Sequence, residues 1–387
     1  MSALMLFCNS PLQVIRMCRS PRADVVSPDE PAIVLTVSVV AVGRQLADCS
    51  SDYPASHIDR RRMIEECLFH QSEYFGICPI AYSITGTSLL QMLKTDPDFV
   101  KTLSDAEVAY RWLMLCPTCR KFASVDGEPS PKDIQRLCKS PKKIRDLRSR
   151  LSSVSWWMRL INQRIAQRFN KMDELHGVFW ADRFRSIRIV DETGLLAGLV
   201  HIDASAVCNG MAASLDTSEF TSIVRRIAAE RSVSSPIPPT KSPTRHLAPI
   251  QKTSASENSA VESILNRPFP EKPVAEKSNA SIADRCRCSD AGVLDLTQTD
   301  YLRLVQSTCN ALLGSAKMNL QTLAAAKLLP PDMTVESWLI LVRSFGRAFS
   351  HIAGRIETME ACRTRISRRR FYVPPIARML LAGCTKT

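Results

Sequence analysis

The residues with the most chemical potential lie between Lys139 and Arg188. This stretch holds 13 Lys and Arg against 4 Asp and Glu, a local excess of nine in a chain whose net charge is +13. Arg159, Arg164 and Arg168 follow one another at spacings of five and four, so they share a broad face if the segment is helical. Arg183 and Arg185 flank Phe184, and Arg188 follows. Guanidinium groups at this density contact phosphates, and interleaved aromatic rings offer stacking surfaces for bases. The bland alternative puts Phe179, Trp180 and Phe184 in a core and leaves the arginines solvated; both assignments can hold together. The pattern is the footprint of a polyanion-binding surface.

Other chemistry is less well supplied. Cys116-Pro117-Thr118-Cys119 has the spacing of half a zinc site, but no second pair follows at the required distance. Cys138 stands alone, and Cys286 and Cys288 lie far downstream, so Cys116 and Cys119 read as a pair at a helix end. Fourteen cysteines, scattered rather than framed, suit a reducing, cytoplasmic setting. The longest apolar run, Ala32–Gly43, is shorter than the about 20 residues that span a bilayer. Its Val, Ile and Thr content predicts a strand, and no membrane association is expected. The first ten residues lack the basic region of a secretory signal.

The elements that must position these residues follow from periodicity. Strands are expected at 32–38, 77–84, 88–93 and 186–190, with Thr85-Gly86 turning the hairpin. Helices are expected at 58–75, from Ser104 (with Glu107 completing a capping box), at 132–150, 152–171, 192–203 and 218–231. In the 152–171 helix, Trp156, Leu160, Ile161, Ile165 and Phe169 are assigned to the buried side. The order strand, helix, hairpin, helices, strand, helix predicts an α+β domain with a ferredoxin-like, split βαβ antiparallel sheet and added helices. Residues 1–30 read as disordered, 31–231 as this domain, 232–298 as a Pro/Ser/Lys-rich linker and 299–387 as a small all-α unit. The basic tail Arg368–Arg370 is a further candidate contact with DNA.

One resemblance ties the basic stretch to a family. Leu151, Ser152, Trp156, Met158, Arg159, Asn162, Ile165, Ala166, Arg168 and Asn170 carry the first part of it. Gly177, Phe179, Trp180, Arg183, Phe184, Arg185 and Ser186 carry the second. Asp191-Glu192, Leu195–Ala197, Gly210–Ala212, Phe220–Ile223, Arg22–Val26 and Trp338–Gly354 extend it over most of the chain. In these residues the chain resembles the REP-associated tyrosine transposases, members of the single-tyrosine HUH superfamily. The resemblance implies a metal-dependent enzyme of DNA transposition. Two histidines on a central strand hold Mg or Mn against a scissile phosphate, and a tyrosine on a later helix attacks it. The implied partner is single-stranded or hairpin DNA.

The chain departs from that pattern at the chemical centre. Ser88 and Leu90 stand at the two metal-ligand positions, and His201 stands at the nucleophile's. Leucine cannot ligate a metal, and Tyr82 precedes the metal strand and is assigned to packing. The resulting expectation is a transposase-like DNA-binding protein without strand cleavage and without a resident metal, using Arg159, Arg164, Arg168, Arg183, Arg185 and Arg188 on DNA. The alternatives are an active nickase with its ligands elsewhere, and a decayed protein with no retained function.

Overall fold

A computed structural model describes residues 26–47, 54–122, 127–233, 242–252, 287–314, 328–330 and 333–365. The expected disordered N-terminus up to residue 25, most of the expected linker, Cys286 and the tail arginines lie outside the described residues. The protein is α+β, with a five-stranded mixed sheet between two layers of helices.

The sheet consists of β1 (Ala32–Val39), β2 (Ile77–Ile84), β3 (Ser88–Thr95), β4 (Arg185–Ile189) and β5 (Ile352–Ala353), in the order β2-β3-β1-β4-β5. β3 lies antiparallel between β1 and β2, and β4 adds antiparallel to the other side of β1. β1, the crossover helix α1 (Pro54–Tyr74) and β2 thus form a split β-α-β unit with β3 inserted. The β2–β3 hairpin turns at Thr85-Gly86, as its sequence predicts. Every residue of β2 and β3 is buried, because helices cover both faces of these strands. The polar residues this buries find partners. Thr95 accepts from the Ala32 amide at 2.8 Å, and Lys94 donates to Ser289 and to the Ala291 carbonyl.

One face carries α1, α2 (Pro97–Thr102), α3 (Asp105–Leu115), α4 (Pro131–Cys138), α5 (Pro141–Leu151) and α6 (Val154–Met172). Ser104 caps α3 by accepting from the Glu107 amide. The reciprocal half of the expected capping box is not made, because Arg111 takes the Glu107 carboxylate at 2.7 Å. The single helix expected over 132–150 is two helices. Pro141 has no amide proton to continue α4, and it starts α5 behind the cap residue Ser140.

The opposite face carries α7 (Glu192–Cys208), α8 (Ser222–Val233), α9 (Gln298–Leu312), α10 (Val335–Ala348) and α11 (Ile356–Arg365). α7 is buried from Thr193 to Val207 except at His201, so one sheet cannot cover it. α9 and α10 supply the second cover, sharing one apolar core with the sheet. Gly194 and Gly198 make this close. A Cβ at Gly194 would sit 2.8 Å from the Ala353 carbonyl oxygen, and one at Gly198 2.7 Å from the Met92 Cε.

These contacts correct two expectations. The C-terminal part is not a separate all-α unit, since β5 pairs parallel to β4 and makes the sheet mixed rather than antiparallel. The segment expected as a linker is ordered at both ends. Leu247, Ala248 and Ile250 are buried, the Ala248 amide donates to the Pro79 carbonyl, and Gln251 bridges to Leu294. Arg287 fastens the two ends by donating to the carbonyls of Thr244, Arg245 and Leu247. Low average hydropathy concealed these few well-placed apolar residues.

Candidate nucleic-acid interface

α5 and α6 run on the same face of the molecule. Their inner sides (Ile144, Leu147, Leu151, Trp157, Ile161, Ile165, Phe169) fill the core, which turns the cations outward. Lys142, Lys143 and Arg145 are exposed on α5, and Arg159, Arg168 and Lys171 on α6. Arg148 is not part of this outward set. It clamps α5 to α2 and α3 through the carbonyls of Val100 and Leu103, each at 2.7 Å, and through Asp105 at 2.9 Å.

Where α5 meets α6, the register of the tryptophans differs from expectation. Trp157 is the buried one, donating its indole N–H to Gln91 of β3 at 3.0 Å. Trp156 is half-buried at the edge of the core. The Arg150 guanidinium lies 4.3 Å and the Arg159 guanidinium 4.7 Å from its ring centre. Trp112 of α3 meets the same ring edge-on at 5.5 Å and takes Arg150 as well, at 5.3 Å. Two arginines on one partly exposed indole form a compact cation–aromatic surface. Periodicity alone assigned Trp156 inward; the signal missed was its spacing to both arginines, six residues after Arg150 and three before Arg159.

The six arginines singled out by sequence do not converge. Arg159 and Arg168 are exposed on α6, and Arg164 between them is partly tied down by the Leu115 carbonyl. Arg183 is exposed in the loop before β4. Arg185 points to the other face, donates to the Gly346 carbonyl at 2.8 Å, and has its pKa lowered by burial. Arg188 is buried and pairs with Glu30 at 3.6 Å. Arg185 and Arg188 are therefore corrected to structural residues, because alternation along β4 sends them to opposite sides of a covered sheet. Phe179 and Phe184 are core residues, so they offer no stacking surface.

The residues at the resemblance's chemical positions each have partners of their own. Ser88 is buried and shares hydroxyl hydrogen bonding with Thr85 at 2.7 Å. Leu90 is 4% exposed and lies in the apolar core under α7. His201 is on α7, but its ring turns to α10. Nδ1–H donates to the Val342 carbonyl at 2.8 Å, and the ring stacks on Phe345 at 5.8 Å. Burial lowers its pKa, partly offset by that carbonyl, so the neutral imidazole is favoured. Among the described residues no three His, Cys, Asp or Glu side chains are grouped to hold a metal ion. Tyr82 is fully buried, its hydroxyl held by Glu65 and Arg225.

Cys116 ends α3, and Pro117–Cys119 forms a single turn of 3₁₀ helix beyond it. Burial and the neighbouring Cys119 push the Cys116 thiol up to about 11, so it stays protonated at neutral pH.

No family model, curated protein or solved structure matches the chain. Among the described residues, no helix is long and apolar enough to cross a membrane.

Installing the resemblance's ligands tests these placements. Leu90→His places an imidazole among apolar side chains with no hydrogen-bond partner, at a cost of about 2–3 kcal/mol. Urea unfolding should show that loss, whether or not Ser88→His and His201→Tyr accompany it. Metal-dependent cleavage of DNA by the triple variant would show that the three positions do form a site.

Proposed function

We propose that this protein binds single-stranded or hairpin DNA through the α5–α6 face, as a transposase-like protein that has lost strand cleavage. The observation that carries the reading is the partly exposed Trp156 ring with Arg150 and Arg159 beside it, on a surface that also exposes Lys142, Lys143, Arg145, Arg168 and Lys171. Such a surface combines the two elements that hold a single strand, a stacking ring and phosphate-binding cations. The burial of Leu90, whose side chain has no ligand atom, and the tethering of His201 to Val342 support the loss of chemistry. The free cysteines among the described residues suit a reducing, cytoplasmic compartment.

The test is binding of a labelled, hairpin-tailed single-stranded oligonucleotide over a range of salt. Affinity should fall steeply with salt, and Arg159→Glu should lessen the slope by about one phosphate contact. Trp156→Ala should weaken binding about 5- to 100-fold, the range for losing one stacked base. No covalent adduct should form with Mg²⁺ or Mn²⁺. Salt-independent or absent binding would overturn the DNA reading, and an adduct would overturn the loss of cleavage.

A further inference from the structure

A groove between α1 and α6 adjoins the tryptophan surface and shares Arg168 and Lys171 with it. Its cavity of about 360 Å³ is lined by Met63, Ile64 and Cys67 of α1 and by Ile165 and Phe169 of α6. Arg164, Gln167, Arg168 and Lys171 complete the lining. The volume lies in the range of small-molecule sites, roughly 300–1,000 Å³. We propose that this groove binds a small amphipathic anion, a carboxylate on an apolar body such as a medium-length acyl chain.

The charge is arranged for it. Arg164, Arg168 and Lys171 lie at i, i+4 and i+7 of α6, one stripe along the groove's edge. The α1 wall is apolar, apart from exposed Glu66 beside Cys67. Three cations against one carboxylate leave a net positive rim over an apolar floor. Arg164 and Arg168 are close enough for their charges to act on the Cys67 thiol, which burial nevertheless holds above its usual pKa. Cys67 is thus a protonated, apolar part of the wall, not a nucleophile.

The same lining disfavours a nucleobase. The floor offers no polar group, and Gln167 is the one amide at the rim, so the polar edges of a base would lose their hydrogen bonds to water without replacement. Phe169 is buried, so its ring offers no face for stacking. An alkyl chain needs neither.

The full-length protein titrated calorimetrically with decanoate should show saturable, one-to-one binding. Decanol, with a similar chain and no charge, should bind about tenfold or more weakly, and acetate should not bind detectably. Met63→Glu places a carboxylate in the groove at a partly exposed position and should abolish decanoate binding without lowering the melting temperature. Trp156→Ala, outside the groove, should leave decanoate binding unchanged, which separates this site from the Trp156 surface. Arg168→Glu should weaken decanoate about tenfold. Equal binding of decanol, no effect of either variant, no saturation, or deoxyadenosine monophosphate binding as well as decanoate would each overturn the proposal.

Discussion

Asp203→Ala should destabilise the protein by about 3–5 kcal/mol, read as a drop in the urea midpoint with the slope unchanged. Asp203 sits on α7 with no exposure and gathers the helices around it. Its Oδ1 accepts from the Ser222 hydroxyl of α8 and its Oδ2 from the Tyr301 hydroxyl of α9, each at 2.5 Å. Arg226 of α8 is also fully buried; its charge acts on Asp203 while its guanidinium donates to the carbonyls of Ile80 and Ala248. Alanine would leave the buried Tyr301 hydroxyl short of an acceptor, the Ser222 hydroxyl with only the Tyr82 carbonyl, and a buried cation without its counter-charge. That combination is far costlier than losing one surface ion pair. Asp203→Asn keeps the shape and one acceptor, so it should cost less.

The same residue carries a pH signature of definite sign. Burial raises the Asp203 pKa, opposed by Arg226 and by the hydrogen bonds from Ser222 and Tyr301. The folded chain therefore holds this proton more tightly than the unfolded chain. The resulting stability is full below the ordinary carboxylate pKa, about 3.9, and is lost as pH rises through the raised folded value. Asn does not titrate. The stability advantage of the native protein over Asp203→Asn should shrink as pH climbs from about 4 toward neutrality. A gap that widens with pH would mean that Arg226 outweighs desolvation and the fold prefers the carboxylate.

The adjacent tryptophans should separate stability from binding. Trp157→Ala removes a fully buried ring that packs edge-on against Phe75 at 5.3 Å and satisfies the Gln91 side chain. The cavity and the abandoned Gln91 acceptor should together cost about 3–5 kcal/mol. Trp156→Ala should change stability by no more than about 1 kcal/mol, because its ring is held by surface arginines. Its effect should appear in the oligonucleotide assay. Equal destabilisation by both substitutions would show that Trp156 is a core residue after all.

These two residues show where sequence reasoning reached and where it stopped. A helix over 152–171 was legible from its apolar period, and α6 occupies nearly that range. Which of two consecutive indoles faced inward was not. They lie 100° apart on a helix, and the choice was made by Gln91, which waits on β3 for an N–H donor. The same limit applied to β4. Its existence was readable, but a short strand with arginines at 185 and 188 does not reveal that both of its sides will be covered. Arg185 and Arg188 therefore looked like DNA contacts until Gly346 and Glu30 were found beside them.

By itself, the sequence determined the elements and the charge. Alternating and 3.6-residue periods placed β1 to β4 and most helices, with β2 read at its observed limits, Ile77–Ile84. Thirteen cations in one stretch could not all be buried with a partner, and six of them lie exposed on α5 and α6. What only the tertiary structure decided was long-range pairing. α7 is apolar on nearly every side, and that demanded cover without saying which segment would supply it. The answer came from α9, α10 and β5, 90 residues or more downstream, and from the short stretches at 247–250 and 287–294. Local periodicity reports how a segment meets some surface. The identity of that surface depends on complementarity between segments far apart in the chain, and only packing reveals it.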